Sequence, residues 1–284
     1  IQWTEESSIY VTVQTRNQKS MGILRVDSNT GSVEEIYRWS DEYWVEIITG
    51  APKIVREKII TVEDRGNARS LVIDNQPISG DDLQVRSLVH CNEEGVLAAV
   101  STSPLEQHIV HFDFEGKRTA FTEDSGVHDA ASNGVITVIQ SRNMDVHGVK
   151  TTIFEGDSPI SEIQDLSEKP IISLNVNFHR LGENKLESVV LFPQNHDGSM
   201  PIPILLDPYG GPHAQRVRCA QGLFGVSQWF ADQGFAVIVS DGRGTPGRSP
   251  SFEREVYGDL ATPALEDQIA ALSAAAEIYE CLDL

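Results

Sequence analysis

Four segments in the first half of the sequence share one pattern, a short apolar strand that ends in an acidic residue and a turn. The acidic residues are Asp27, Asp74, Asp113 and Glu155, which lie 47, 39 and 42 residues apart. A recurrence near forty residues is typical of a four-stranded propeller blade. A β-sandwich also contains short strands, but it need not repeat its outer hairpin at this interval. We therefore expect residues 1–167 to form a partial propeller of about four blades or parts of blades, with further blades upstream.

Three aromatic residues interrupt the strand pattern where the first two repeats meet. Trp39, Tyr43 and Trp44 are predicted to lie in a loop between two blades. Such a cluster can form a substrate-facing wall on the inner surface of a propeller. It can also pack between blades, since large aromatic side chains contribute much of the stability of a core. Packing is the simpler interpretation, and Trp44 is kept as a candidate substrate-binding residue.

The pattern changes after a predicted linker at residues 167–170. Residues 171–192 are predicted to form a hairpin, and 202–206 and 235–239 are nearly continuous apolar runs, as in strands covered on both faces. The helix between these two runs is marked by Leu223, Val226, Trp229 and Phe230. A strand, a helix and a second strand of this length allow parallel pairing. Residues 168–284 are therefore predicted to begin an α/β domain.

The last predicted element is a helix with clear start signals. Thr262 is the expected N-cap, and Pro263 the first helical residue. Its expected apolar face consists of Leu265, Ile269, Leu272, Ala276 and Tyr279. The next strand should begin where the sequence stops, at Leu284.

A glycine-rich loop follows the first apolar run and carries one tyrosine. In an open parallel sheet, ligands bind beyond the carboxyl ends of the strands, which is where Tyr209 is predicted to lie. Gly210 and Gly211 allow a sharp turn and close approach of a substrate, and the phenol is a hydrogen-bond donor. The alternative is an ordinary loop between a strand and a helix.

The loop after the second run, at 241–247, contains a Gly-X-Gly that only weakly suggests a dinucleotide site. The third glycine of that fingerprint is out of register. For Asp241 and Arg243 we expect structural pairing with neighbouring loops instead.

Composition excludes several classes of function. The net charge of -20 argues against binding nucleic acid or anionic lipid. The three cysteines, Cys91, Cys219 and Cys281, are widely spaced and odd in number, so they predict neither a disulfide framework nor a paired-cysteine metal site. They fit reduced thiols in a cytoplasmic protein. No apolar run is long enough to span a membrane.

Three stretches resemble a known family: LLDPYGGPHAQRV at 205–217, FAVIVSDGRGTPG at 235–247 and ALEDQIAAL at 264–272. Together they resemble the serine peptidases of the prolyl oligopeptidase superfamily, in particular its dipeptidyl peptidase IV-like branch. IITVEDRGNARSLVID at 59–74 resembles the propeller of that branch more loosely. In that branch an eight-bladed propeller precedes and caps an α/β-hydrolase domain. The resemblance therefore implies the C-terminal part of an all-β propeller followed by the N-terminal part of an α/β-hydrolase domain.

The resemblance also implies a reaction. Tyr209 would be the oxyanion-hole tyrosine of an enzyme that hydrolyses peptides, with release of dipeptides after Pro or Ala and without a metal or organic cofactor. No Gly-X-Ser-X-Gly motif occurs in the 284 residues. We therefore expect a fragment that is inactive alone, with the catalytic Ser, Asp and His encoded after Leu284 and the glutamates that grip the substrate's amino terminus in earlier blades.

Two other functions remain open on the same scaffold. An acylaminoacyl peptidase or esterase would share the tyrosine loop, and a non-catalytic propeller-hydrolase protein would have no serine motif in its full reading frame. An incomplete hydrolase sheet would leave strand edges uncovered, so we also expect association with another copy, as a homo-oligomer, or with the remainder of the protein.

Overall fold

The computed structural model describes residues 1–3 and 8–284. Within these residues the first half of the chain forms four sheets of four strands each, and the strands of every sheet follow one another in sequence order. The first sheet contains β1 (Gln2–Trp3), β2 (Ser8–Gln14), β3 (Ser20–Asp27) and β4 (Val33–Ser40). The second contains β5 (Lys53–Val55), β6 (Lys58–Arg65), β7 (Ala68–Ile73) and β8 (Gln76–Pro77).

The next two sheets repeat this arrangement. The third contains β9 (Gln84–Asn92), β10 (Gly95–Ser101), β11 (His108–Phe112) and β12 (Arg118–Ala120). The fourth contains β13 (Val127–Ser132), β14 (Ile136–Arg142), β15 (Lys150–Glu155) and β16 (Ser158–Ile163). Four strands in sequence order at an interval of about forty residues are the units of a propeller.

Each acidic residue of the repeat lies at the end of the third strand of its sheet. Asp27 and Glu155 are the last residues of β3 and β15, and Asp74 and Asp113 directly follow β7 and β11. At Asp27 and Asp113 the carboxylate accepts hydrogen bonds from backbone N–H groups of the turn, as from Asn29 and Thr30 to Asp27, both at 2.8 Å. These bonds lower the pKa of Asp27. Asp74 instead accepts the backbone N–H of Ile59 on β6, at 2.8 Å. In two of the four sheets the acid therefore stabilises the hairpin turn that follows it.

A hydrophobic core packs the second and third sheets together. All six residues of β7 and all seven of β10 are buried. This core includes Ile60, Leu71, Val85 and Phe112, all of them fully buried. Strands buried on both faces are what stacked blades require, because each sheet contributes side chains to two neighbours.

The rest of the chain forms a five-stranded sheet in the order β17-β18-β20-β19-β21. Its strands are β17 (Val176–Leu181), β18 (Leu186–Leu191), β19 (Ile202–Leu206), β20 (Ala236–Asp241) and β21 (Leu282–Asp283). β17, β18 and β20 pair antiparallel, whereas β19 pairs parallel with both β20 and β21. The predicted hairpin, the two buried strands and the start of a further strand are all present.

Helices cover both faces of this sheet. They are α1 (Gly225–Ala231), α2 (Pro250–Arg254) and α3 (Thr262–Ile278), with a short 3₁₀ turn at Gln221–Leu223 before α1. One core contains Phe224 and Ala231 against Val189, Val237 and Val239. On the other side α3 and α2 pack on Val190 and Ile238. None of the helices in the described residues is long and apolar enough to cross a membrane.

The apolar residues that marked α1 in the sequence lie mostly on its exposed side, with Val226 70% and Trp229 50% accessible. The buried side consists of Phe224, Ser227, Gln228 and Ala231. Gln228 can be buried because its amide donates to the carbonyls and carboxylates around it, including Phe192 O at 2.9 Å. A polar residue with its hydrogen bonds satisfied took a core position that periodicity assigns to apolar side chains.

The prediction for α3 needs two corrections. Of its predicted apolar face, Leu272, Ala276 and Tyr279 are partly buried against the core, but Leu265 and Ile269 are more than half exposed. The fully buried side chains are centred about a quarter turn away, at Asp267, Gln268, Ala271 and Ala275. Thr262 is the first helical residue rather than the N-cap, which is Ala261.

Asp259 performs the capping that was assigned to Thr262. Its carboxylate accepts the N–H groups of Ala261 and Thr262, both at 3.0 Å. These free N–H groups of the first turn are thereby satisfied from outside the helix.

Trp39 also lies elsewhere than predicted. It belongs to β4, where its ring contacts that of Tyr37, whereas Tyr43 and Trp44 lie in the loop before β5. Only the last two are therefore loop aromatics.

The chain divides into two compact units. One comprises Ile1–Val100 with Val110–Ala120, and the other comprises Ser101–Ile109 with Phe121–Leu284. The second unit contains both the fourth sheet and the mixed sheet. The predicted domain boundary after residue 167 therefore stays a prediction.

Candidate active site at the carboxyl edge of the mixed sheet

Tyr209 lies just beyond the carboxyl end of β19. The strand ends at Leu206, and the backbone N–H of Asp207 still donates to Ile238 O of β20, at 2.9 Å. The Tyr209 side chain is 55% exposed. Gly210 has φ +67°, a left-handed conformation that favours glycine. The loop thus presents a phenol to solvent at the edge of the sheet where ligands bind, and the role of Tyr209 in an oxyanion hole stays a prediction.

A bidentate ion pair joins the two ends of this loop. The Arg216 guanidinium donates to both carboxylate oxygens of Asp207, with Nη1 to Oδ1 at 3.2 Å and Nη2 to Oδ2 at 2.8 Å. Ser227 Oγ of α1 donates to the same carboxylate at 2.7 Å. Because Asp207 directly follows β19, the pair closes residues 208–215 into a loop fixed to a strand and a helix.

Asp241 holds the same loop from the end of β20. Its carboxylate accepts the backbone N–H of Arg216 at 3.0 Å and that of Val217 at 2.8 Å. Only 6% of Asp241 is exposed. Burial raises the pKa of this carboxyl group to about 6, although the two N–H groups stabilise its charged form. The neighbouring Glu187 lies opposite Asp241 in the β18–β20 register.

Further along, the chain is bound to segments that adjoin the third and fourth sheets. Cys219 N donates to Leu105 O at 2.8 Å, and Gln221 N donates to Asn143 O at 3.0 Å. Arg218 donates to the side chain of Gln107 at 3.1 Å, and burial lowers the pKa of its guanidinium. The loop that begins at Tyr209 therefore ends in a segment with several fixed backbone contacts.

The second loop is fixed by the pairing that was expected of it. Arg243 donates through its backbone N–H and its Nε to the buried carboxylate of Asp267, at 2.6 and 3.0 Å. It also donates to Glu266 at 2.9 Å. The prediction that Asp241 and Arg243 pair with neighbouring segments is confirmed, and the same pairing explains why α3 buries Asp267.

Trp44, the other candidate residue, lies in the first compact unit. Its indole Nε1 donates to Glu46 at 2.8 Å. It borders a polar cavity of about 270 Å³ that also touches Tyr37, Glu63 and Arg65. Tyr37 and Arg65 both donate to the buried carboxylate of Glu63, at 2.8 and 2.6 Å. These pairs stabilise the wall of the cavity, and a contact between Trp44 and a substrate stays a prediction.

The sequence analysis did not identify Asp207 and Arg216. One signal was available, since an acidic residue stands at the carboxyl end of each apolar run, Asp207 after β19 and Asp241 as the last residue of β20. Within the described part of the chain, no group of three or more His, Cys, Asp or Glu side chains is arranged to hold a metal ion.

Comparison with known proteins agrees with these features. Residues 223–283 match the prolyl oligopeptidase family. The chain is 35% identical over 89 residues to dipeptidyl peptidase family member 1 of Caenorhabditis elegans, and 28% identical over 131 residues to prolyl endopeptidase FAP of Bos taurus. The crystal structure of Porphyromonas gingivalis dipeptidyl peptidase 4 superposes with a TM-score of 0.83 at 18% identity.

The matches cover the relatives only in part. They span 31% and 43% of this chain but 11% and 17% of the two relatives, and the superposition covers 97% of this chain and 42% of the bacterial structure. The fold class is confirmed as part of a propeller followed by the start of a hydrolase domain, and the resemblance to the dipeptidyl peptidase IV-like branch is confirmed as well.

Proposed function

Because this chain is similar to dipeptidyl peptidase IV-like proteins of the prolyl oligopeptidase family, we propose that it is a segment of a serine exopeptidase that releases dipeptides from peptide amino termini. The observation that carries the proposal is the exposed Tyr209 at the carboxyl edge of the mixed sheet, on a loop closed by the Asp207–Arg216 pair.

The reaction proceeds through an acyl-enzyme. A serine hydroxyl, deprotonated by a histidine, attacks the scissile carbonyl, and negative charge develops on the carbonyl oxygen. The Tyr209 hydroxyl donates a hydrogen bond to that oxygen, which is more basic in the tetrahedral intermediate than in the substrate. A donor held in place therefore stabilises the transition state more than the ground state.

The nucleophile comes from sequence beyond the present chain. In α/β-hydrolases the serine stands on a turn between a strand and a helix, and Asp and His follow it in the sequence. β21 continues the parallel part of the sheet next to β19. A serine turn after β21 would lie at the same edge of the sheet as Tyr209.

Two forms of the protein test this proposal. We expect the present chain to release no product from a Gly-Pro chromogenic substrate, because no Gly-X-Ser-X-Gly motif occurs in it. The full reading frame should release product and should be labelled at one serine by a fluorophosphonate. Turnover by the pure chain would contradict the fragment assignment.

The choice of substrate separates the related functions. A dipeptidyl peptidase requires the free amino group, so an N-acetylated version of the same substrate should not be cleaved. Cleavage of only the acetylated substrate would indicate an acylaminoacyl peptidase or esterase. Absence of both turnover and labelling in the full-length protein would refute catalysis.

A further inference from the structure

We propose that Asp207 and Arg216 are positioning residues, which hold the Tyr209 loop in the conformation that places its hydroxyl at the oxyanion. This inference rests on the proposed function and adds two residues that act on the reaction through Tyr209. The contacts that fix the two ends of the loop support it.

The Tyr209 side chain has no fixation of its own. Within residues 1–3 and 8–284 no hydrogen bond holds its hydroxyl, and more than half of the side chain is exposed. Two glycines follow it, and both allow the backbone wide freedom. Its position must therefore be set by the backbone of the loop.

The backbone is set by the ion pair at its two ends. Asp207 is fixed to the sheet by its N–H bond to Ile238 O, and its carboxylate binds both Arg216 and Ser227. Ser227 is fully buried on α1. A guanidinium that makes two parallel hydrogen bonds to a carboxylate fixes direction as well as distance. The pair therefore fixes both ends of residues 208–215 relative to β19 and α1.

A second carboxylate fixes Arg216 independently of its side chain. Asp241 accepts the Arg216 backbone N–H, so the residue is held from β20 even when the guanidinium is removed. Substitution of Arg216 should consequently loosen the loop without unfolding the sheet. A small displacement of a catalytic hydrogen-bond donor lowers the rate strongly, because the donor stabilises the transition state only if it is already in the right position.

Hydrogen exchange of the 284-residue chain tests the loop directly. In Arg216→Gln and in Asp207→Asn, the backbone amides of the non-proline residues between 209 and 215 should exchange about tenfold faster or more, with exchange in β20 unchanged. Asn keeps an acceptor for Ser227 and has nearly the same shape as Asp, so this variant is expected to fold. Arg25→Gln, which removes an exposed ion pair between β3 and Glu34 of β4, is the control and should leave the loop unchanged. Wild-type exchange in both loop variants would overturn the proposal.

Kinetics of the full-length enzyme test the link to Tyr209. Arg216→Gln should lower kcat about tenfold or more and leave KM within about threefold, whereas Arg25→Gln should change neither. In a Tyr209→Phe background, Arg216→Gln should cause little further loss, because the hydroxyl that it positions is already absent. If the two losses multiply, Arg216 acts independently of Tyr209 and the proposal fails.

The two experiments also separate this proposal from the proposed function. If the full-length wild type has no peptidase activity, the proposed function is refuted, and hydrogen exchange alone decides whether the pair orders the loop. If the enzyme is active and Tyr209→Phe lowers kcat while Arg216→Gln does not, the function stands and the positioning role is refuted.

Discussion

The part that this chain plays in the proposed reaction depends on one hydroxyl group, that of Tyr209. Removing it in Tyr209→Phe of the full-length protein should lower kcat by about 100- to 1,000-fold, the usual loss for one oxyanion donor, with KM little changed. The side chain is exposed, so the fold should not be affected. Steady-state kinetics and a thermal melt of both proteins measure the two effects, and an unchanged kcat would remove Tyr209 from the mechanism.

Asp241 makes stability depend on pH. The pKa of its carboxyl group is raised from 3.8 to about 6 in the folded protein, mainly by burial. The folded state therefore binds this proton more tightly than the unfolded state does. The resulting stability is fully present below the unfolded pKa and is lost as pH rises through about 6. Above this pH the carboxylate still accepts the hydrogen bonds from Arg216 and Val217, but it is then a buried charge, which destabilises the folded state.

Asp241→Asn removes this dependence because an amide does not titrate in this range. Between about pH 5 and pH 7.5, the free energy of unfolding of the wild type should fall by about 1 kcal/mol relative to that of the variant. Urea unfolding at both pH values measures this difference, in which the other titrating groups cancel. A difference that is constant with pH would mean that the folded pKa of Asp241 is close to its ordinary value.

At the scale of secondary structure, α1 offers a direct test of which of its faces packs on the sheet. Phe224 directly precedes the helix and is 1% exposed, whereas Trp229 is 50% exposed. Phe224→Ala should reduce the free energy of unfolding by about 3 to 5 kcal/mol, and Trp229→Ala by less than about 1 kcal/mol. Chemical denaturation compares the two. The opposite order would mean that the side of α1 that carries Trp229 is the one that packs on the sheet.

The helices also indicate where sequence reasoning reached its limit. Their positions were predicted well, because Pro263 and the flanking strands mark them, but the residues that they bury were predicted only in part. Periodicity counts apolar residues, whereas Gln228 and Asp267 are buried through hydrogen bonds to Phe192 and Arg243. Those partners are 36 and 24 residues away in sequence, so no local pattern contains them.

The candidate site was likewise predicted only in part from the sequence. Tyr209 was placed correctly, since a glycine pair after an apolar strand specifies both the turn and the edge of the sheet. The Asp207–Arg216 pair was missed because only the folded loop brings the two residues together. Asp207 and Asp241 at the ends of neighbouring parallel strands were the available indication that this edge is built around carboxylates.

For the whole molecule, the interval of about forty residues was the best predictor. It identified the third strand of each four-stranded sheet in the described residues, because an acidic residue recurs at the end of that strand. In two of these sheets the acid, Asp27 or Asp113, also stabilises the turn. In the first half of the chain the local turn residues and the spacing of the repeats indicate the same structure. The sequence therefore specifies that half more clearly than the helices of the second half.

The net charge and the exposed apolar surface have opposite effects on self-association of the whole chain. The net charge of -20 repels copies of the chain from one another, while Val226, Trp229, Leu265 and Ile269 each expose at least half of their surface. At low salt the repulsion extends about 20 Å, and at 0.5 M NaCl only about 4 Å. We therefore expect the chain to self-associate more strongly as salt is added.

Multi-angle light scattering measures this association. The weight-average mass should rise between 20 mM and 0.5 M NaCl at fixed protein concentration, since screening removes the repulsion and leaves the apolar contacts. Sucrose at the same osmolality is the control and should not reproduce the rise, because it does not screen charge. A mass equal to that of a single chain at both salt concentrations would mean that the exposed apolar surface is too dispersed to hold two copies together, and self-association would then be excluded under these conditions.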